Sequence, residues 1–89
     1  LPRLLFIYYV HKQDHRNQVV ETYISYPRNS NRNNGIEISC VEAYDRHSNP
    51  AYAGYASITS GGVGDQSVTL HLESRRGYEL IYLVRIWGH

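Results

Sequence analysis

The chain has 89 residues, a formal net charge of +1 at pH 7 and a single cysteine. A chain of this length is typical of one domain, so we expect residues 1–89 to form a single unit with little room for a ligand cavity. The near-neutral charge argues against direct nucleic-acid binding and against an anionic membrane surface. The longest apolar run, LLFIYYV, is far shorter than the ~20 residues of a membrane helix.

Strand-forming residues occur in short runs that are separated by turn-forming residues. Tyr, Ile, Val and Thr favour strands, and clusters of Gly, Asn and Pro favour turns. Near-even spacing of this kind predicts an antiparallel β-sandwich or flattened barrel of about six strands. In chain order, the predicted strands are Leu4–Lys12, Val19–Tyr26, Ile36–Tyr44, Tyr55–Thr59, Val68–Ser74 and Leu80–Trp87.

Alternation of apolar and polar residues supports two of these strands. Val68, Leu70 and Leu72 share one face, and Ile36, Ile38 and Cys40 share another, which predicts half-buried antiparallel strands with Cys40 in the core. The runs 4–10 and 80–86 are apolar on both faces. They fit either a central strand or a strand whose outer face meets a partner.

Glycine marks the turns. The dipeptide Asn34-Gly35 predicts one turn, and SGGVGD predicts another in which Gly61, Gly62 or Gly64 has positive φ. Gly77 predicts a third. The SGGVGD stretch lacks the Lys and the following helix of a phosphate-binding loop and carries Asp65 instead, so we interpret it as a connection between strands.

The residues that could carry chemistry form no motif. His11 and His15 are four positions apart, a zinc-binding spacing only on a helix, so we expect no metal and no cofactor. Ser60, Ser74 or Cys40 could be combined with His71, Asp45 or Asp65, but no nucleophile motif connects them, and we expect no enzymatic activity. We expect Arg75 and Arg76 to be solvated in their turn.

Tyrosine is the feature that points to function. The chain has nine tyrosines, and Tyr8 and Tyr9 must lie on opposite faces of one strand. Exposed tyrosine is favoured at protein interfaces because it offers rigid area with a polar tip. The alternative is ordinary half-buried sheet surface. The residues predicted for an interface are Leu5, Ile7, Tyr9, Tyr82, Val84 and Trp87.

An ordered set of positions between residues 36 and 88 forms a recognisable pattern. The positions are Ile36, Ile38, Asp45, Gly54, Tyr55, Ala56, Ile58, Thr59, Gly61, Gly62, Gly64, Val68, Thr69, Ser74, Arg76, Gly77, Val84, Ile86, Trp87 and Gly88. In these positions residues 36–88 resemble the insect family named for multiprotein bridging factor two, and the match is loose before Ile36. The departures are Arg46, Ala53 and Tyr78-Glu79, where the family usually has other residues, and Trp87, which fits an aromatic position but replaces the usual Tyr.

The resemblance implies a small secreted insect protein, and it brings no family active site. It also implies an alternative, since the founding member is a coactivator that bridges a DNA-binding regulator and the basal transcription machinery. The function we predict is a secreted, non-enzymatic protein that associates with a protein partner or with itself. The alternatives are a nuclear coactivator and a small-ligand carrier, and the last is disfavoured by the few apolar residues to spare.

Overall fold

The computed structural model describes residues 1–28 and 35–89, which form six strands and one short 3-10 turn, Pro50–Tyr52. The predicted all-β fold is confirmed, and all six predicted strands are present. The strands are β1 (Arg3–Lys12), β2 (Glu21–Tyr26), β3 (Ile38–Asp45), β4 (Tyr55–Gly61), β5 (Val68–Glu73) and β6 (Leu80–Gly88). No helix among the described residues is long and apolar enough to cross a membrane.

The strands pair into two three-stranded antiparallel sheets and do not close into a barrel. Sheet A has the order β1-β6-β3, and sheet B has the order β2-β5-β4. The apolar residues between the sheets form one core cluster to which both sheets contribute. The two central strands, β5 and β6, supply most of it because their inward residues are covered on both sides.

Bulges change which side chains face the core. The register shifts between Leu4 and Phe6 in β1 and between Ile38 and Cys40 in β3. An extra residue in one strand reverses the alternation beyond it. Leu5 therefore packs against the core, whereas Cys40 is exposed. The prediction that Cys40 lies in the core is wrong for this reason.

The SGGVGD turn joins β4 to β5 and also contacts the other sheet. The Ile38 N–H donates to the Asp65 carbonyl, and the Gly64 N–H donates to the Ile38 carbonyl, both at 2.8 Å. This pair of bonds ties the turn of sheet B to the start of β3 in sheet A. The interpretation of the stretch as a connection between strands is confirmed.

Positive φ is present at every glycine predicted to need it. Gly61 is the most constrained of them, since a Cβ there would lie 2.1 Å from the Ser67 carbonyl oxygen in addition to the unfavourable φ of 69°. The others are Gly62, Gly64 and Gly77, with φ of 133°, 92° and 85°. Of the predicted Asn34-Gly35 turn, Asn34 lies outside the described residues, and Gly35 has φ of 78°.

The turn after β5 fastens the connection between β1 and β2. The Ser74 hydroxyl is buried and accepts a hydrogen bond from the Val20 N–H at 2.8 Å. The Arg76 Nη1 donates to the Asn17 carbonyl at 2.7 Å, and the Gly77 N–H donates to the Gln18 carbonyl at 2.9 Å. Arg76 is therefore a structural contact, and the prediction that it is merely solvated is wrong.

Candidate functional site

The outward side of sheet A is the candidate site, and we call it the outer A face. Its centre is Leu83, which pairs in register with Tyr9 of β1 and Tyr44 of β3. Leu83 is buried but does not belong to the core between the sheets, because its neighbours Tyr82 and Val84 point into that core. The two tyrosines lie beside it on the same face, as cross-strand neighbours do.

The exposed members of this face are mostly apolar or aromatic. Ile7 is 48% exposed, Tyr9 66% and Tyr44 44%. Leu4 is also exposed, and Trp87, its register partner on β6, is half-buried. These side chains form a patch that runs across all three strands, with a polar centre at Glu42 and Arg85.

The structure divides the residues predicted for an interface between the two sides of sheet A. Ile7, Tyr9 and Trp87 lie on the outer A face, and their part in an interface stays a prediction. Three others do not: Tyr82 and Val84 are 3% and 0% exposed, and Leu5 packs against the core. The prediction is wrong for these three because β6 alternates strictly and the bulge in β1 turns Leu5 inward.

Glu42 is the polar centre of the face. Its carboxylate accepts hydrogen bonds from Arg85 Nε at 2.9 Å and from Trp87 Nε1 at 2.8 Å, as well as from the Tyr44 hydroxyl. Hydrogen bonds from Tyr44 and then Trp87, with a smaller contribution from the Arg85 charge, lower the pKa of Glu42 below its usual value. One carboxylate thus fixes three large side chains of the face in position.

An open hollow adjoins this cluster. Its volume is about 540 Å³, and it is lined by Pro2, Ser39, Cys40, Glu42, Trp87 and His89. The Ser39 hydroxyl beside it is buried and has no hydrogen-bond partner within the described part of the chain. The hollow makes the outer A face concave beside Glu42 and Trp87.

The outward side of sheet B, the outer B face, has a different composition. It carries a histidine between two glutamates: the Nε2 of His71 lies 2.6 Å from Glu21 Oε1, and its Nδ1 lies 3.8 Å from Glu73 Oε1. The Tyr23 ring stacks on the imidazole with 4.5 Å between ring centroids. These three side chains are the ones that could hold a metal ion among the residues that the structure describes. Sequence reasoning missed them because they come from strands far apart in the chain.

The other residues considered for chemistry are placed apart or serve the fold. Ser74 bonds to Val20, and Cys40 and His71 lie on opposite outer faces. Asp45 accepts from the His47 N–H at 2.9 Å and from the Gly54 N–H at 2.8 Å, so it organises the loop after β3. His11 is exposed, and its Nε2 lies 2.9 Å from Glu79 Oε2. The Glu79 carbonyl oxygen lies 2.8 Å from His47 Nε2.

Tyr82 lies on the side of β6 that faces the core. It is almost completely buried, and burial, together with the nearby Asp45 carboxylate, raises the pKa of Tyr82 to about 12. A neutral, hydrogen-bonded phenol therefore faces the interior, while Leu83 and Arg85 on the same strand face outward. Sequence alternation could not assign these sides, because residues 80–86 are apolar on both faces and Arg85 is the one charged residue among them.

These observations define a small all-β protein of two facing sheets, with an apolar outer A face and a polar outer B face. The sequence model of the family described as Transcription activator MBF2 matches residues 2–88, and the chain belongs to this family. The resemblance first seen over residues 36–88 is thereby confirmed and extended to β1.

One relative has a different description. The chain is 41% identical over 51 residues to a protein of Bombus ignitus described as a probable salivary secreted peptide. That match covers 57% of this chain and 37% of the relative, so the chain spans well under half the length of the relative it matches. No solved structure matches the chain.

Proposed function

We propose that the chain is a secreted, non-enzymatic protein that acts by protein–protein association through the outer A face. The observation that carries this proposal is the exposure of Ile7, Tyr9 and Tyr44 in one patch around the buried Leu83. Single exposed apolar residues are ordinary, but a continuous patch across three strands is typical of an interaction surface. Association with a second protein removes these side chains from water.

The arrangement of the patch suits binding without rearrangement. Tyr, Trp and Arg are the residues most often dominant in protein interfaces. Here Glu42 holds Tyr44, Arg85 and Trp87 by direct hydrogen bonds, so little side-chain entropy is left to lose on binding. The Arg85 guanidinium also lies 5.3 Å from the centre of the Tyr44 ring, which restricts it further.

Secretion is supported by the description of the Bombus ignitus relative. The family description supports a second candidate, a nuclear coactivator that bridges two proteins. The net charge of +1 suits such a bridge only if it makes no direct contact with DNA. Both candidates use the outer A face for protein contact, and they differ in compartment.

Fluorescent tagging of the full-length product in its native cells separates the two compartments. If the chain is secreted, the tagged product passes through the secretory route and is found in the medium. A nuclear product without signal cleavage would favour the coactivator and overturn secretion. The tag is attached at the end of the chain farthest from the signal-cleavage site, so that cleavage does not remove it from the mature protein.

Association is tested with the purified chain immobilised and exposed to extract from its native source. The informative comparison is between the double variant Ile7→Ser, Tyr9→Ser on the outer A face and Tyr23→Ser on the outer B face. We expect the first to lose its partner and the second to retain it. Sedimentation at micromolar concentration shows in parallel whether the partner is a second copy. A strict monomer whose captured proteins do not depend on Ile7 and Tyr9 would overturn the proposal.

A small-ligand carrier remains the third candidate because of one feature of the fold. The sheets leave an open cleft of about 380 Å³ between the edge strands β3 and β4, lined by Val41, Ala43, Ala56, Ser57, Ile58 and Leu70. Ile58 is 49% exposed although it points toward the core side of sheet B. A native mass spectrum of protein from its source tests this candidate, and a retained apolar molecule would support it.

A further inference from the structure

The outer B face brings together three metal-ligating side chains from two strands. Glu21 of β2 pairs directly with Glu73 of β5, and His71 lies two positions before Glu73 on the same face. One donor atom from each of the three side chains lies within 4.8 Å of the other two. The sheet backbone sets this spacing, because residues in register on antiparallel strands have Cβ atoms about 5 Å apart.

The cluster contains two carboxylates of like charge, Glu21 and Glu73. Two carboxylates stand directly opposite each other, an arrangement that destabilises a sheet unless something compensates for it. In the described part of the chain, the ion pairs that Glu21 and Glu73 make are both with His71. A divalent cation bound between the two carboxylates neutralises both at once.

The geometry suits a single ion with open positions. Ligands bound at about 2.1 Å around one tetrahedral ion lie roughly 3.4 Å from one another. The two short distances involve different ring nitrogens, Nε2 to Glu21 at 2.6 Å and Nδ1 to Glu73 at 3.8 Å, so one nitrogen serves as the ligand and one carboxylate must rotate toward it. Because one donor atom of each side chain already lies within 4.8 Å of the other two, that movement is short. The imidazole side chain is 17% exposed, and the glutamates are 58% and 42% exposed, which leaves room for water as a further ligand.

The imidazole is held in place before any ion arrives. The Tyr23 ring lies nearly parallel to it, at an interplanar angle of 15° and a centroid distance of 4.5 Å. This stacking limits rotation of the His71 ring and so lowers the entropy lost when the ring becomes a ligand. The cluster is thus a partly preorganised set of one nitrogen and two oxygen donors.

We propose that Glu21, His71 and Glu73 bind a divalent cation of the Zn²⁺ class, with water completing the coordination. The imidazole selects for Zn²⁺ and its neighbours over Mg²⁺ and Ca²⁺, which prefer sites made of oxygen alone. This inference concerns the outer B face and does not rest on the proposed association through the outer A face.

The test is isothermal titration of tag-free, chelator-treated protein with Zn²⁺. We expect saturable binding of one ion per chain, and at least about tenfold weaker binding for His71→Ala and Glu73→Gln. His11→Ala is the matched control, since it removes a histidine whose paired carboxylate is Glu79 alone and leaves the cluster intact. Ca²⁺ at the same concentration should bind more weakly than Zn²⁺. Binding that falls equally in His11→Ala and His71→Ala would overturn the proposal.

A second measurement on the unaltered chain keeps the result independent of variant folding. NMR of the aromatic rings during Zn²⁺ titration should shift the His71 and Tyr23 resonances first. Zn²⁺ binding should also raise the melting temperature of the chain, because an ion that binds only the folded chain stabilises it. The proposal is contradicted if binding is not saturable or if His15 or His89 responds first.

Discussion

The outer A face exposes Ile7, Tyr9 and Tyr44 around a buried leucine, whereas the outer B face exposes Glu21, Tyr23 and a histidine–glutamate pair. Both faces belong to three-stranded sheets that cover the same core. They differ because β6 carries Ile81, Leu83 and Trp87 outward, while the outward residues of β5 are polar. The outer B face also exposes Tyr23 and Tyr55, so the two faces differ in the residues of their central strands and not in having exposed tyrosines.

Both outer faces depend on the packing of the two sheets, and Gly61→Ala should destabilise that fold. The new Cβ would clash with the Ser67 carbonyl oxygen at a φ of 69°, so we expect a loss of about 3 kcal/mol or more in unfolding free energy. Gly64→Ala is the control, because φ is also positive there but no atom lies within 4 Å. It should cost about 1 kcal/mol. Equal midpoints in urea denaturation for the two variants would contradict the role of Gly61.

Alkaline pH should lower the free energy of unfolding through the buried Tyr82 of β6. Because the folded pKa of Tyr82 is raised from 10.0 to about 12, the folded chain holds this proton more tightly than the unfolded chain. The resulting stability is fully present below pH 10 and is lost as the pH rises toward 12, by at most about 3 kcal/mol. Denaturation series at rising pH measure it. Tyr82→Phe should remove this part of the pH dependence, and Tyr9→Phe on the exposed side should leave it unchanged.

Two serines allow a buried hydrogen bond to be compared with an exposed one: Ser74 lies directly after β5, and Ser25 lies in β2. Ser74→Ala leaves the buried Val20 N–H without its acceptor and should lower stability by about 1–3 kcal/mol. Ser25→Ala removes an exposed contact with Thr69 and should change stability by less than about 0.5 kcal/mol. Thermal unfolding of both variants gives the comparison. A similar melting temperature for the two would show that the bond from Val20 to Ser74 contributes little.

The smallest expected effect concerns the polar centre of the outer A face. Trp87 is the single tryptophan of the chain and donates to Glu42, so its fluorescence reports on that carboxylate. Since the pKa of Glu42 is lowered from 4.5, the emission should stay constant from pH 7 down to about 4.5 and change only below it. Glu42→Gln should abolish this acid transition. A transition above pH 4.5 that persists in Glu42→Gln would contradict the assignment.

Most of the fold could be predicted from the sequence because period-two alternation and turn residues are local signals. The six predicted strands match the observed ones to within a few residues, and the glycine turn has the expected positive φ. The bulges were not predictable in this way. They arise from pairing between strands, and they exchanged the expected positions of Leu5 and Cys40.

The candidate sites were harder to predict for a related reason. Ile7, Tyr9 and Trp87 were found by their residue types, but Tyr82 and Val84 were assigned to the wrong side of β6. The cluster on the outer B face depends on Glu21 and His71, which are 50 positions apart in the chain. Only the register of β2 against β5 brings them together. The Glu42 cluster likewise needs the pairing of β3 with β6.

We propose that the outer A face, and not the outer B face, meets the partner. Site-directed photo-crosslinking tests this most directly, with p-benzoylphenylalanine placed at Tyr9 in one protein and at Tyr23 in another. Both side chains are largely exposed, so the probe itself is equally accessible at the two positions. We predict covalent adducts, with a second copy or with another protein of the native source, from position 9 and not from position 23. Adducts from position 23 alone, or equal yields from both, would contradict the account.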